Sequence, residues 1–154
     1  METTMRNSAK AIIVRDGHLL VTVNRHDDGE EFYILPGGGQ NFGETLHEAL
    51  QRECIEEIGT NVHIRDLVFV REYIGKHHEF AHFDGHVHQV EFMFLCTLTE
   101  DPLVRQGFLP DPKQFGVKWI LLTELETVPF YPAALKTLIR EMTSPHVRYL
   151  GDVN

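Results

Sequence analysis

Hydrophobic and polar positions alternate most clearly from His88 to Leu98. Val90, Phe92, Phe94, Cys96 and Leu98 fall on one side of an extended chain, and Gln89, Glu91, Met93 and Leu95 on the other. That period predicts a β-strand. Lys10 to Val14 and His18 to Val23 are two apolar runs joined across Asp16-Gly17, a pair that favours a tight hairpin. Asn24 to Glu30 is polar and reads as a loop, and Glu31 to Leu35 as a short strand stopped by Pro36. Val62 to Ile74 reads as extended, and Val117 to Leu122 as a further strand around Trp119.

The pattern changes in two places. Pro36-Gly37-Gly38-Gly39 is expected to be neither helix nor strand interior. From Glu44 to Ile58 there is no Gly or Pro and helix formers dominate, until Gly59 supplies a stop. A glycine loop leading into a four-turn helix is expected. Pro132 suits the first turn of a second helix, whose apolar stripe is Leu135, Leu138, Ile139 and Met142. About six strands and two substantial helices predict an α/β class, a mixed sheet with helices packed on it, as one domain over residues 1–154. Two long connections, 75–87 and 100–116, are of a length that is often functional.

Charge narrows the function classes. The 154 residues hold 23 Asp and Glu against 14 Lys and Arg, a formal net charge of −9. Such a surface does not attract nucleic acid polymers. It also repels phosphate-rich small molecules unless cations intervene. Cys54 and Cys96 form no C-x-x-C pair, so both are expected buried and reduced, as in a cytoplasmic protein. No signal peptide is apparent, and no apolar run reaches the roughly 20 residues of a membrane span.

On a helical wheel of about 100° per residue, Glu53, Glu56 and Glu57 share one face. Leu50, Cys54, Ile58 and Ile55 form an apolar stripe beside it. Carboxylates at i, i+3 and i+4 repel one another, and the C-terminal half of a helix favours cations instead. A divalent cation would offset both effects, and Mg²⁺ takes carboxylate and phosphate oxygens together. A solvated acidic face is the plainer reading of the helix alone. The glycine loop directly before it favours a cation–phosphate site.

The sequence Gly38-x5-Glu44-x7-Arg52-Glu53-Cys54-x-Glu56-Glu57-x-Gly59-Thr60 resembles the Nudix box, with its fixed glycines, glutamates and arginine in place. Cys54 and Thr60 depart from the two bulky aliphatic positions, and Asn41 stands where many members are acidic. The resemblance implies a Nudix-type α/β/α sandwich with a mixed central β-sheet. It implies a Mg²⁺- or Mn²⁺-dependent pyrophosphohydrolase that cleaves a diphosphate bond in a small nucleoside diphosphate derivative by in-line attack of water. Glu53, Glu56, Glu57 and the Gly38 carbonyl would hold the metal. Glu53 is the candidate base, Glu56 is counted with the catalytic residues, and Arg52 would orient a neighbouring glutamate. Glu44 suits the helix start by its charge.

Outside the box, Arg25, Arg71, Glu91 and His88 are candidate substrate contacts. Glu91 reads equally well as an extra metal ligand or external base, or as the cross-strand partner of an Arg such as Arg71. Tyr73, Phe80 and Phe83 are candidates for stacking on a base, and Lys76 for holding phosphate. His77, His78, His82, His86 and His88 crowd one connection, yet their spacing matches no zinc pattern. A non-catalytic nucleotide sensor on the same fold is the competing function, disfavoured by the retained glutamates. A homodimer is compatible with the sequence.

Overall fold

The computed structural model describes residues 3–99, 114–142 and 146–154. Strand β1 (Arg6–Arg15) turns at Asp16-Gly17 into β2 (His18–Arg25). Both turn residues have positive φ, 50° and 73°, which suits the two-residue hairpin turn. Next come β3 (Glu31–Ile34), β4 (Gly37–Gly39), α1 (Leu46–Ile58) and β5 (Val62–Ile74). A short α2 (Ala81–Asp84) precedes β6 (His88–Leu98). The chain continues with β7 (Gln114–Leu121), α3 (Leu135–Arg140) and β8 (Arg148–Asp152).

The strands form one mixed sheet in the order β3-β2-β1-β6-β5-β8, with β4 paired to β1 and β7 to β2. β1 runs parallel to β6, which is antiparallel to β5. Alternation along β1 divides the core. Ala9, Ala11 and Ile13 pack with Phe94 and Cys96 under Leu50, Cys54 and Ile58 of α1. Ile12 packs with Phe69 and Met93 under Leu135 and Ile139 of α3. Helices therefore cover opposite faces, giving the expected α/β/α sandwich.

Helix α1 has caps that explain its limits. The Thr45 hydroxyl accepts from Glu48 N at 3.1 Å, and Gly59 ends the helix in the left-handed region at φ 75°. Leu50, Cys54 and Ile58 are fully buried, contributing roughly 1.5–3 kcal/mol for each large aliphatic side chain. Ile55, at the far edge of the expected stripe, is exposed.

The glycine run differs from expectation: Gly37–Gly39 is a strand. It pairs with β1 in the register Lys10 to Gly37, Ala9 to Gly38 and Ser8 to Gly39. A Cβ on Gly37 would stand 2.1 Å from the Ala9 carbonyl oxygen, and φ there is 132°. Glycine thus permits the close pairing that other residues would block. Gly37→Ala is expected to destabilise the fold by at least about 2 kcal/mol, lowering Tm by several degrees in calorimetry. An unchanged Tm would contradict this packing of β4.

Other elements also depart from the pattern. β8 was not expected; it docks parallel to β5 at the sheet edge. Pro132 follows a cis peptide bond and precedes α3, which starts at Leu135. The 75–87 connection holds a 3₁₀ turn (Gly75–His77) and α2. Most of the second long connection, residues 100–113, lies outside the described residues. Cys54 of α1 and Cys96 of β6 are free thiols in the core between the helix and the sheet. No helix among the described residues is long and apolar enough to cross a membrane.

Candidate active site

Arg52 is the centre of the site. Its Nη2 meets Glu44 Oε1 at 2.6 Å, and its Nε donates to Glu44 Oε2 at 3.2 Å. Nη1 reaches Glu53 Oε1 at 3.0 Å and Glu56 Oε2 at 3.5 Å. Nη2 also donates to the Gly39 carbonyl at 2.9 Å. One guanidinium therefore ties two turns of α1 to the preceding loop and to β4. The Arg52 hydrogen bonds, then the Asn41 backbone N–H, hold the Glu44 carboxyl below its ordinary range. Glu44 lies just before the helix and braces Arg52, while Thr45 provides the cap.

Two glutamates of α1 face the glycine strand. A Cβ on Gly38 would lie 2.7 Å from the Glu53 carboxylate carbon, so the carboxylate packs directly against the backbone. Glu57 Oε1 accepts from Gly37 N at 2.7 Å, and Glu57 is only 2% exposed. The wheel places Glu57 beside Glu53 and Glu56, but burial sets it apart as a tie between helix and strand. Among the described residues, no three His, Cys, Asp or Glu side chains are grouped closely enough to hold a metal by themselves. The donor chemistry nevertheless suits a hard cation: carboxylate and carbonyl oxygens, with three carboxylates around one guanidinium.

A cavity of about 270 Å³ opens on the sheet face opposite α1, and one of its lining residues, Lys10, reaches the Gly37 carbonyl of β4. Lys10, Arg71, Tyr73, Gln89 and Glu91 line it from neighbouring strands. An aromatic group closes one side. His26 stacks on Phe32 with centroids 4.2 Å apart, and Phe80 lies 5.1 Å from His26 and 5.0 Å from Tyr131. The Tyr131 backbone N–H is fixed to the Tyr33 carbonyl at 2.9 Å. Tyr73 donates its hydroxyl to Asp84 Oδ2 at 2.9 Å, clasping α2 against the strand end. Burial, then the Asp84 contact, raises the Tyr73 phenol above its ordinary value.

The structure separates the remaining candidates. Arg71 and Glu91 are opposed in the β5–β6 register and joined at 3.0 Å, both buried in the cavity wall. This is the cross-strand pair that the sequence allowed. Burial pushes the Glu91 carboxyl upward, but Arg71 and Lys10 together outweigh it and leave the group below its ordinary value. Tyr73, Phe80 and Phe83 line the cavity. Arg25 instead pairs with Glu31 at 3.7 Å and covers the Phe115 ring. His88 lies on the other side of β6 from Glu91 and contacts Glu72 at 3.3 Å. Lys76 lies apart from this cavity, beside a separate one shared with His77 and His88. His77 and His78 both meet Asp152 of β8, at 2.8 and 2.5 Å.

Sequence reasoning missed Lys10, His26, Phe32, Asp84 and Tyr131. Their separations along the chain carry no shared period, and only the topology brings them together. Lys10 had one signal, a charge inside an otherwise apolar run.

Comparisons with known proteins agree with this geometry. A family model described as the NUDIX domain matches residues 5–142. A search of curated protein sequences finds no match. An ADP-ribose pyrophosphatase from Streptococcus suis superposes with a TM-score of 0.65 at 21% identity, over 97% of this chain and 100% of that one. A NUDIX hydrolase from Nitrosomonas europaea gives 0.72 at 21% identity, over 97% of this chain and 78% of that one. A UDP-X diphosphatase gives 0.66 at 18% identity, over 99% and 69%. With the family model spanning most of its length and the fixed glycines, glutamates and arginine of the box in place, the chain belongs to the NUDIX domain family.

Proposed function

We propose that the protein is a divalent-metal-dependent pyrophosphohydrolase that cleaves the diphosphate bond of a small nucleoside diphosphate derivative. The observation that carries this reading is the Arg52-bound glutamate cluster packed on Gly38, with an aromatic-lined cavity on the opposite face of the sheet. The names of two similar structures, an ADP-ribose pyrophosphatase and a UDP-X diphosphatase, favour the same substrate class.

Glu53, Glu56, Glu57 and the Gly38 carbonyl would hold Mg²⁺ or Mn²⁺. A bound ion supplies charge neutralisation at phosphate oxygens and a more acidic water. Glu53 accepts the proton of the attacking water. Arg52 holds Glu53 and Glu56 in place through its Nη1 contacts, at 3.0 and 3.5 Å. Glu57 keeps β4 against the helix through the Gly37 N–H. Aromatic rings stack on the base, whose π-face they match whatever its identity.

Product analysis tests the proposal. The protein is incubated with ADP-ribose, UDP-sugars and nucleoside triphosphates, with Mg²⁺, with Mn²⁺ and with chelator, beside Glu56→Gln. Cleavage of a diphosphate bond that needs the metal and falls at least about 10²-fold in the variant is expected. Tight nucleotide binding without turnover would overturn the proposal in favour of a non-catalytic sensor.

A further inference from the structure

Lys10 occupies the junction between the cavity and the glycine strand. Only 9% of its surface is exposed. A buried ammonium is costly unless its donors are met. Lys10 Nζ donates to the Leu35 carbonyl at 3.4 Å and to the Gly37 carbonyl at 3.2 Å. These bonds fix the charge at the β4 end of the cavity, one residue from the contact between Gly38 and Glu53.

Charge along the cavity wall is ordered. Asp84 lies beside Phe80 and Phe83, at the aromatic end. In the wall between, Glu91 is engaged by the Arg71 guanidinium at 3.0 Å and the Gln89 amide at 2.8 Å. An anion entering the cavity is repelled near Asp84 and attracted near Lys10. A neutral aromatic ring finds its partners on the α2 side, where His26 and Tyr131 pack on Phe80, which accepts from the Asp84 backbone N–H, and Phe32 packs on both. The cavity is thus polarised in the sense of a nucleotide.

We propose that Lys10 is a substrate-binding residue that contacts the phosphate nearest the nucleoside. The base then lies among the four aromatic rings, and the diphosphate passes the edge of β4 toward Glu53 and Glu56. This inference rests on the nucleoside diphosphate reading above and adds the direction in which substrate lies.

The test compares nucleosides with their monophosphates. Calorimetry without added metal gives Kd for adenosine, AMP, uridine and UMP on the wild type, Lys10→Met and Lys10→Gln. In the wild type the 5′-phosphate is expected to tighten binding of at least one base by about tenfold or more, as a charge-assisted contact does. Both variants should lose that increment while nucleoside Kd stays within about twofold. Lys10→Gln keeps an amide donor for the two carbonyls and decides the matter if Lys10→Met does not fold. In turnover, KM should rise more than kcat falls.

An increment that survives in the variants overturns the inference, as does equal weakening of nucleoside and monophosphate. A wild type that hydrolyses nucleoside diphosphate derivatives but gains nothing from the phosphate also overturns it, leaving the enzyme reading intact. A wild type that hydrolyses none of them removes the enzyme reading, and this inference with it.

Discussion

Glu53→Gln is expected to lower kcat by about 10³-fold or more with little change in fold. The amide has nearly the shape of the carboxylate, so the close packing on Gly38 remains filled. It lacks the negative charge that holds a cation and the basicity that takes a proton from water. Stability should change by only about 1 kcal/mol, because lost attraction to Arg52 is offset by relieved repulsion from Glu56. Arg52 keeps Glu44 as its main partner, at 2.6 Å. Steady-state rates read beside thermal unfolding check both halves. Activity within tenfold of the wild type would remove Glu53 from the chemistry and direct attention to a base outside the box.

Arg71→Met is expected to destabilise the fold by about 3–5 kcal/mol, since it leaves a buried carboxylate without its ion-pair partner and with only the Gln89 amide bonded to it. Arg71 also donates to the Val153 carbonyl at 2.7 Å and to Asn154 Oδ1 at 3.2 Å, so the segment after β8 loosens too. Replacing both partners, Arg71→Met with Glu91→Leu, should recover much of the loss. The pH dependence should reverse. In the wild type, Glu91 titrates below its ordinary 4.5. Its stabilisation is complete above that value and is lost as pH falls through the lowered one. Without Arg71, the strongest downward pull is gone and only Lys10 and Arg6 oppose burial, so the pKa is expected above the ordinary value. The variant then loses stability as pH rises through that raised value, so its deficit is larger at about pH 7 than at about pH 5. Urea unfolding at both pH values measures this. A deficit under about 1 kcal/mol, or a double variant no better than the single one, would show that the pair is not holding the two strands.

Local chemistry was legible where it determines structure locally. Asp16-Gly17 and Gly59 are residues chosen for positive φ, and each marks an element end correctly. The alternation in β6 separates Glu91, facing the cavity, from Phe94, facing α1. Spacing placed Glu53, Glu56 and Glu57 on one helix face, because a helix fixes relative directions, and the resemblance to a family pattern singled them out. Long-range pairing was not legible. Gly37–Gly39 carries no strand propensity, and it becomes a strand because β1 and the Glu53 carboxylate leave no room for side chains. β8 is too short to carry a period and forms by docking on β5. Arg25 and His88 have suitable chemistry, but their strands present them away from the cavity. Glu57 shows the limit of a wheel, which gives direction without saying how deeply the neighbouring chain buries it.

The two thiols between α1 and the sheet shape how the protein meets reactive chemistry. Burial pushes the Cys96 thiol up to about 12 and the Cys54 thiol upward as well. Oxidants and alkylating agents attack thiolates, so the folded protein offers them almost nothing. Cys54 nevertheless adjoins Glu53 in the chain, on the helix that carries the glutamates. Modification there requires α1 to lift from the sheet, an opening that also removes the glutamates from Gly38. Chemical damage at Cys54 is thereby confined to moments when the helix is already out of place, and the assembled site is spared a reactive neighbour.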